Sequence, residues 1–90
     1  MTNWSKNWDL QIKAGVSRVL RKLPRADAER VSLVIRLLPV GPYFGDIQKM
    51  KGESDVWRRR VGNYRLFYCI KSAEMVILVF HLERRTSSTY

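Results

Sequence analysis

The segment Trp57-Arg-Arg-Arg-Val-Gly-Asn-Tyr-Arg65 holds four arginines and no acid. Gly62-Asn63, set between two strand-like runs, is a two-residue hairpin signal. Such a turn pairs Val61 with Tyr64, Arg60 with Arg65, and Arg58 with Phe67. Strand alternation then puts Trp57, Val61, Tyr64, Leu66 and Tyr68 on one face, and Arg58, Arg60 and Arg65 on the other. Like charges directly opposite one another repel, so this is a costly way to make a plain surface. It becomes reasonable if an anion such as phosphate lies over the guanidiniums, each able to grip it by two parallel hydrogen bonds. A solvated face balanced by acids elsewhere is the plainer reading of a charge run. The acid-free segment, and Arg84-Arg85 beyond the last strand, favour the anion site. Arg59 falls on the apolar face, where it must snorkel along its stem or sit at the sheet margin.

Composition agrees with a polyanionic partner. Seventeen Lys and Arg against eight Asp and Glu leave a net charge of +9 in 90 residues, most simply explained by nucleic acid. The excess is spread along the chain, with eight basic against three acidic residues in 1–42 and nine against five in 43–90. A basic tail on a neutral body is thereby excluded. Cys69 is the only cysteine and His81 the only histidine, which removes an intramolecular disulfide and the usual zinc ligand sets. The longest apolar run, Met75 to Phe80, is far too short to span a bilayer, and Met1-Thr-Asn-Trp4 carries no secretory pattern. The expectation is one reduced, cytoplasmic domain over residues 1–90, with no metal, cofactor or membrane association.

The elements that must position these arginines divide into a helical front and a stranded back. Trp8, Ile12, Val16, Val19, Leu20 and Leu23 recur at spacings of three and four, predicting a helix from Ser5 to Lys22. Gly15 weakens its interior by about 1 kcal/mol relative to Ala, and Pro24 ends it. A second helix is expected over Arg25 to Leu38, with Val31, Val34, Ile35 and Leu38 buried. Asp27 and Glu29 suit its first turn, and Arg36 its last. Pro39-Val-Gly-Pro-Tyr-Phe-Gly45 reads as a loop. Beyond it the period becomes two, giving strands over Asp46 to Lys51, Val56 to Val61, Tyr64 to Ile70 and Met75 to His81. The fold class is α+β, an N-terminal helical hairpin packed on an antiparallel three- to four-stranded sheet.

Outside the arginine segment the candidates are weaker. Tyr90 follows a polar stretch after Arg84-Arg85 and suits base stacking or a phosphate hydrogen bond, although alone it reads as a frayed end. His81 is a candidate proton-transfer group, more often structural at such a position. Trp4, Trp8 and Trp57 read as core or rim aromatics.

Asp46-Ile-Gln-Lys-Met-Lys-Gly52, then Val56-Trp-Arg-Arg-Arg-Val-Gly-Asn-Tyr-Arg-Leu-Phe-Tyr68, then Val76-Ile-Leu-Val79 with Arg84 and Tyr90, resembles the RelE branch of the RelE/ParE toxin superfamily. The likeness covers roughly residues 17–90. It implies a RelE-like, microbial-RNase-like fold and the toxin of a type II toxin–antitoxin pair that cleaves mRNA in the ribosomal A site, with 16S rRNA contacts. It implies attack by a ribose 2′-hydroxyl on the adjacent phosphorus, leaving a 2′,3′-cyclic phosphate without a metal. Carried over by position, Arg58, Arg60, Arg65, Arg84 and Tyr90 become the catalytic set. In that set Arg65 faces the pentavalent phosphorus, Arg84 the leaving 5′-oxygen, and Tyr90 stacks on the nucleotide. Lys49, Lys51 and Arg85 fall along the RNA path.

Three positions depart from the family pattern. The general-base position, often lysine, is Arg58, which leaves Lys51, His81 or the ribosome itself for proton transfer. A first strand before helix one is not evident in Met1 to Ser5, and Arg59 replaces an apolar residue. The resemblance further implies a cognate antitoxin with acidic and apolar segments. Two alternatives share the sheet: a ParE-like, non-catalytic inhibitor of DNA gyrase, and a non-catalytic RNA-binding domain.

Overall fold

The computed structural model describes residues 8–52 and 55–85. Two helices cover one face of a five-stranded sheet. The elements run β1 (Asp9–Ile12), α1 (Ala14–Lys22), α2 (Arg25–Leu37), β2 (Ile47–Lys49), β3 (Val56–Val61), β4 (Tyr64–Lys71) and β5 (Val76–Arg84). The sheet order is β1-β5-β4-β3-β2. β2 to β5 form the expected antiparallel meander, whereas β1 lies parallel to β5. The α+β class stands; the sheet gains a strand and becomes mixed.

The added strand corrects the first helix. Trp8-Asp-Leu-Gln-Ile-Lys13 alternates apolar and polar residues strictly, a strand signal hidden because Trp8 and Ile12 also satisfy helical spacing. β1 docks through Asp9 N–H to the Met75 carbonyl (2.8 Å), and Lys13 N–H to the Val79 carbonyl (2.9 Å) marks its exit. The helix therefore begins at Ala14, and Gly15 occupies its first turn rather than its middle. Pro24 separates α1 from α2 as expected, and its carbonyl accepts the Ala28 N–H.

The core lies between the helices and one face of the sheet. Val16, Val31, Ile35 and Leu38 meet Val61, Tyr64, Leu66, Tyr68, Ile70, Ile77, Val79 and Leu82, all buried. Each such aliphatic side chain contributes roughly 1.5–3 kcal/mol. The polar tips of its tyrosines are satisfied: Tyr64 donates to Asp27 (2.7 Å) and Tyr68 to the Pro42 carbonyl (3.3 Å).

That second bond helps pin the loop between α2 and β2. Tyr43 packs edge-on against Trp57 at 5.5 Å between centroids. Arg59, the residue out of pattern, reaches along the apolar face and donates to the Phe44 carbonyl (3.0 Å). Its guanidinium crosses where a Cβ on Gly45 would stand, and Gly45 has φ 93°. Only glycine meets both demands without strain.

Candidate active site

The β3–β4 hairpin forms as its sequence requires. Gly62 takes φ 58° at the first central position, the requirement of a type II′ turn, whose twist suits an antiparallel pair. The register aligns Val61 with Tyr64, Arg60 with Arg65 and Arg58 with Phe67. β2 adds Gln48 beside Arg58, and β5 adds His81 beside Phe67 and Glu83 beside Arg65. The face turned away from the helices thus carries two cross-strand rows. One reads Gln48, Arg58, Phe67, His81; the other Arg60, Arg65, Glu83.

An open cavity of about 200 Å³ lies over this face, lined by Asp46, Gln48, Arg58, Arg60, Arg65 and Arg85. Two of its arginines are already held in place. Arg58 donates to the Gln48 side-chain oxygen. Arg65 Nη1 lies 3.3 Å from one Glu83 oxygen, while His81 Nε2 lies 3.0 Å from the other. The hydrogen bond from His81, followed by that from Arg65, holds the Glu83 carboxyl below its ordinary range against the opposing effect of burial. With a single lining carboxylate against four guanidiniums, the cavity suits a phosphate.

Of the residues singled out in the sequence, the fold brings Arg58, Arg60, Arg65 and Arg85 together. Arg84 goes elsewhere. It aligns with Tyr64 on the helix-covered face, near enough for its charge to act on the Tyr64 hydroxyl. The cause is a β-bulge: Phe67 aligns with His81, but Tyr68 aligns with Val79, leaving Phe80 as the extra residue. This reverses the facing of the rest of β5, so Leu82 is buried under the helices, Arg84 shares that side while staying exposed, and Glu83 and Arg85 take the other. Arg85 is fixed by its N–H bond to the Asn63 carbonyl at the hairpin turn (2.6 Å).

Lys49 aligns with Trp57, off the arginine face, and Lys51 is exposed in the turn after β2. Tyr90 lies outside the described residues. His81 is on the arginine face, bonded to Glu83. The sequence reading missed Asp46 and Gln48 as lining residues. Their signal was position, since β2 runs beside β3 and must present alternate residues to the same face.

No protein-family model matches the chain. It is 26% identical over 81 residues to RelE1 of Methanocaldococcus jannaschii, a protein named as a toxin, covering 87% of this chain and 90% of that one. The fold superposes on RelE in the archaeal RelE–RelB complex from Pyrococcus horikoshii OT3 with TM-score 0.79 and 26% identity, covering 91% of this chain and 99% of that one. In sequence and in fold the chain is similar to RelE toxins. The isolated Escherichia coli RelE toxin shares the RelE fold at TM-score 0.75 and 19% identity, with 90% of this chain and 87% of that one covered.

Proposed function

We propose that this RelE-type protein is the toxin of a type II toxin–antitoxin pair and an mRNA endonuclease that acts on translating ribosomes. The observation that carries this reading is the cavity of four arginines built on a cross-strand Arg60–Arg65 pair. An arrangement so repulsive when empty is relieved by the negative charge that grows on a phosphodiester as it is attacked. In the reaction the ribose 2′-oxygen bonds to phosphorus and the bond to the 5′-oxygen breaks, leaving a 2′,3′-cyclic phosphate and a new 5′-hydroxyl. Arg58, Arg60 and Arg65 hold the non-bridging oxygens.

Guanidiniums do not give up their protons, so the 2′-proton needs another acceptor. Asp46, which lines the cavity, supplies one. Arg85 steadies the charge growing on the departing 5′-oxygen, the part the family resemblance gave to Arg84, and that oxygen takes its proton from water. The RelB-containing complexes of similar proteins support a cognate antitoxin for this chain. Its basic surface suits a partner with acidic and apolar segments.

The test is primer extension on one mRNA in cell-free translation, with ribosomes omitted from a parallel reaction. New 5′ ends within the reading frame, dependent on ribosomes, are expected. Arg65→Ala and Arg85→Ala should each reduce them about 100-fold or more, Asp46→Asn by at least about 10-fold, and Arg84→Ala much less. Intact mRNA in the presence of folded protein overturns the proposal, and gyrase supercoiling becomes the next assay.

A further inference from the structure

The open face of the sheet carries apolar rings that the fold does not use. Phe67 on β4 and Phe80 on β5 lie 6.3 Å apart between ring centroids, and Phe67 and His81 lie 5.4 Å apart, both pairs tilted. Phe80 and His81 are consecutive, and a regular strand would send them to opposite faces. The bulge opposite Phe67 and Tyr68 brings both to Phe67. Among the described residues no helix covers these rings, and the imidazole side chain remains 52% exposed. A bulge that re-aims side chains beside a charged cavity is a built feature.

The rings adjoin the cavity directly. Phe67 aligns with Arg58 across β3 and β4, one strand spacing of about 5 Å. That is a distance a single nucleotide spans between its phosphate and its base. Glu83 couples the two parts, one oxygen on His81 and the other on Arg65. The imidazole is thereby held at a fixed orientation against Phe67.

Resting on the phosphate-binding reading above, we propose that Phe67 and His81, backed by Phe80, form a stacking subsite for one nucleobase of single-stranded RNA. The phosphate of the same nucleotide occupies the arginine cavity. Guanidiniums beside an exposed aromatic surface are the pairing by which proteins hold single strands, the cations tracking the backbone and the rings taking bases of any sequence. The subsite sets which phosphate lies over the arginines, and it does so without reading base identity.

The probe is a short, fluorescently labelled single-stranded RNA, 2′-O-methylated to block cleavage, and a series in which one nucleotide at a time is abasic. Binding to the full chain is followed by anisotropy at low ionic strength. The wild type should lose about 10-fold in affinity at one abasic position and little elsewhere. Phe67→Leu, which keeps an apolar β4 residue, should bind the intact RNA about 10-fold more weakly and show no position dependence. Phe67→Tyr should restore both. Arg65→Ala should weaken every member of the series alike.

A flat scan in the wild type, with affinity that still depends on Arg65, overturns the stacking subsite and leaves the phosphate cavity standing; the rings then belong to a protein partner's interface. A position-dependent loss that persists in Phe67→Leu also overturns it, because another ring is holding the base. Absence of any Arg65-dependent RNA affinity removes the subsite together with the reading on which it rests.

Discussion

The two faces of the central strand β4 obey opposite rules. Tyr64, Leu66, Tyr68 and Ile70 are buried against the helices, while Arg65, Phe67, Cys69 and Lys71 alternate with them and remain partly exposed. On the first face every polar tip has a partner and apolar area leaves water. On the second, cations are aligned with cations and aromatic rings stay partly exposed. A stranded period of two lets one short segment carry the fold and the chemistry on adjacent residues, with little conflict between them. Residues next to each other in sequence should therefore respond in opposite ways to substitution.

The largest contrast is between Leu66 and Arg60. Leu66→Ala should lower stability by about 3 kcal/mol in urea denaturation, because the cavity it leaves is enclosed on all sides. Arg60→Gln should change stability by less than about 0.5 kcal/mol, or raise it slightly as the repulsion from Arg65 is relieved, while mRNA cleavage falls sharply. Equal stability losses at the two positions would erase the distinction between the faces.

High pH tests the buried face alone. Burial pushes the Tyr68 hydroxyl up to about 12, with the Arg59 charge opposing. Tyr64 is raised chiefly by its hydrogen bond to Asp27, then by burial and the Asp27 charge, with Arg84 opposing. Both groups favour the protonated folded state, so their contribution is complete below the unfolded value near 10 and is lost as pH rises through their raised folded values, about 12 for Tyr68. Tyr68 accounts for about 2–3 kcal/mol of that loss. Denaturation between pH 8 and 11.5 should show the decline starting near pH 10, with a shallower slope in Tyr68→Phe.

The exposed face should answer weakly, and at the other end of the pH scale. Glu83 is held below its ordinary value, so its pairing with His81 and Arg65 stabilises above that value and is lost as pH falls through the lowered one. Because the side chain is 38% exposed, the effect should be about 0.5 kcal/mol or less. Glu83→Gln should flatten the acid limb of the stability curve by that amount.

How much of this was legible in the sequence depended on whether a period was shared or broken. The β3–β4 hairpin could be read residue by residue, because Gly62-Asn63 fixed the turn and the alternation on both sides was unambiguous. β1 could not, since Trp8 and Ile12 fit two periods and only pairing with β5 decides between them. The exchange of Arg84 for Arg85 in the cavity was invisible for another reason. A bulge adds one residue to a strand without leaving a mark in its apolar pattern, and every facing beyond it reverses. Arg59 broke the pattern openly, but its purpose depends on the Phe44 carbonyl, which no spacing predicts.

The parallel pairing of β1 with β5 also has a meaning in time. A chain leaving a ribosome presents β1, both helices and β2 to β4 before β5 exists, yet β5 stands between β1 and β4. Until it emerges, the earliest strand has no neighbour, the bulge that turns Arg85 outward has not formed, and the cavity lacks one wall. Contacts between such distant segments also close slowly. The arginine cavity is thus completed only once the last described strand has been made, so the order of synthesis delays the site until the sheet closes around β5.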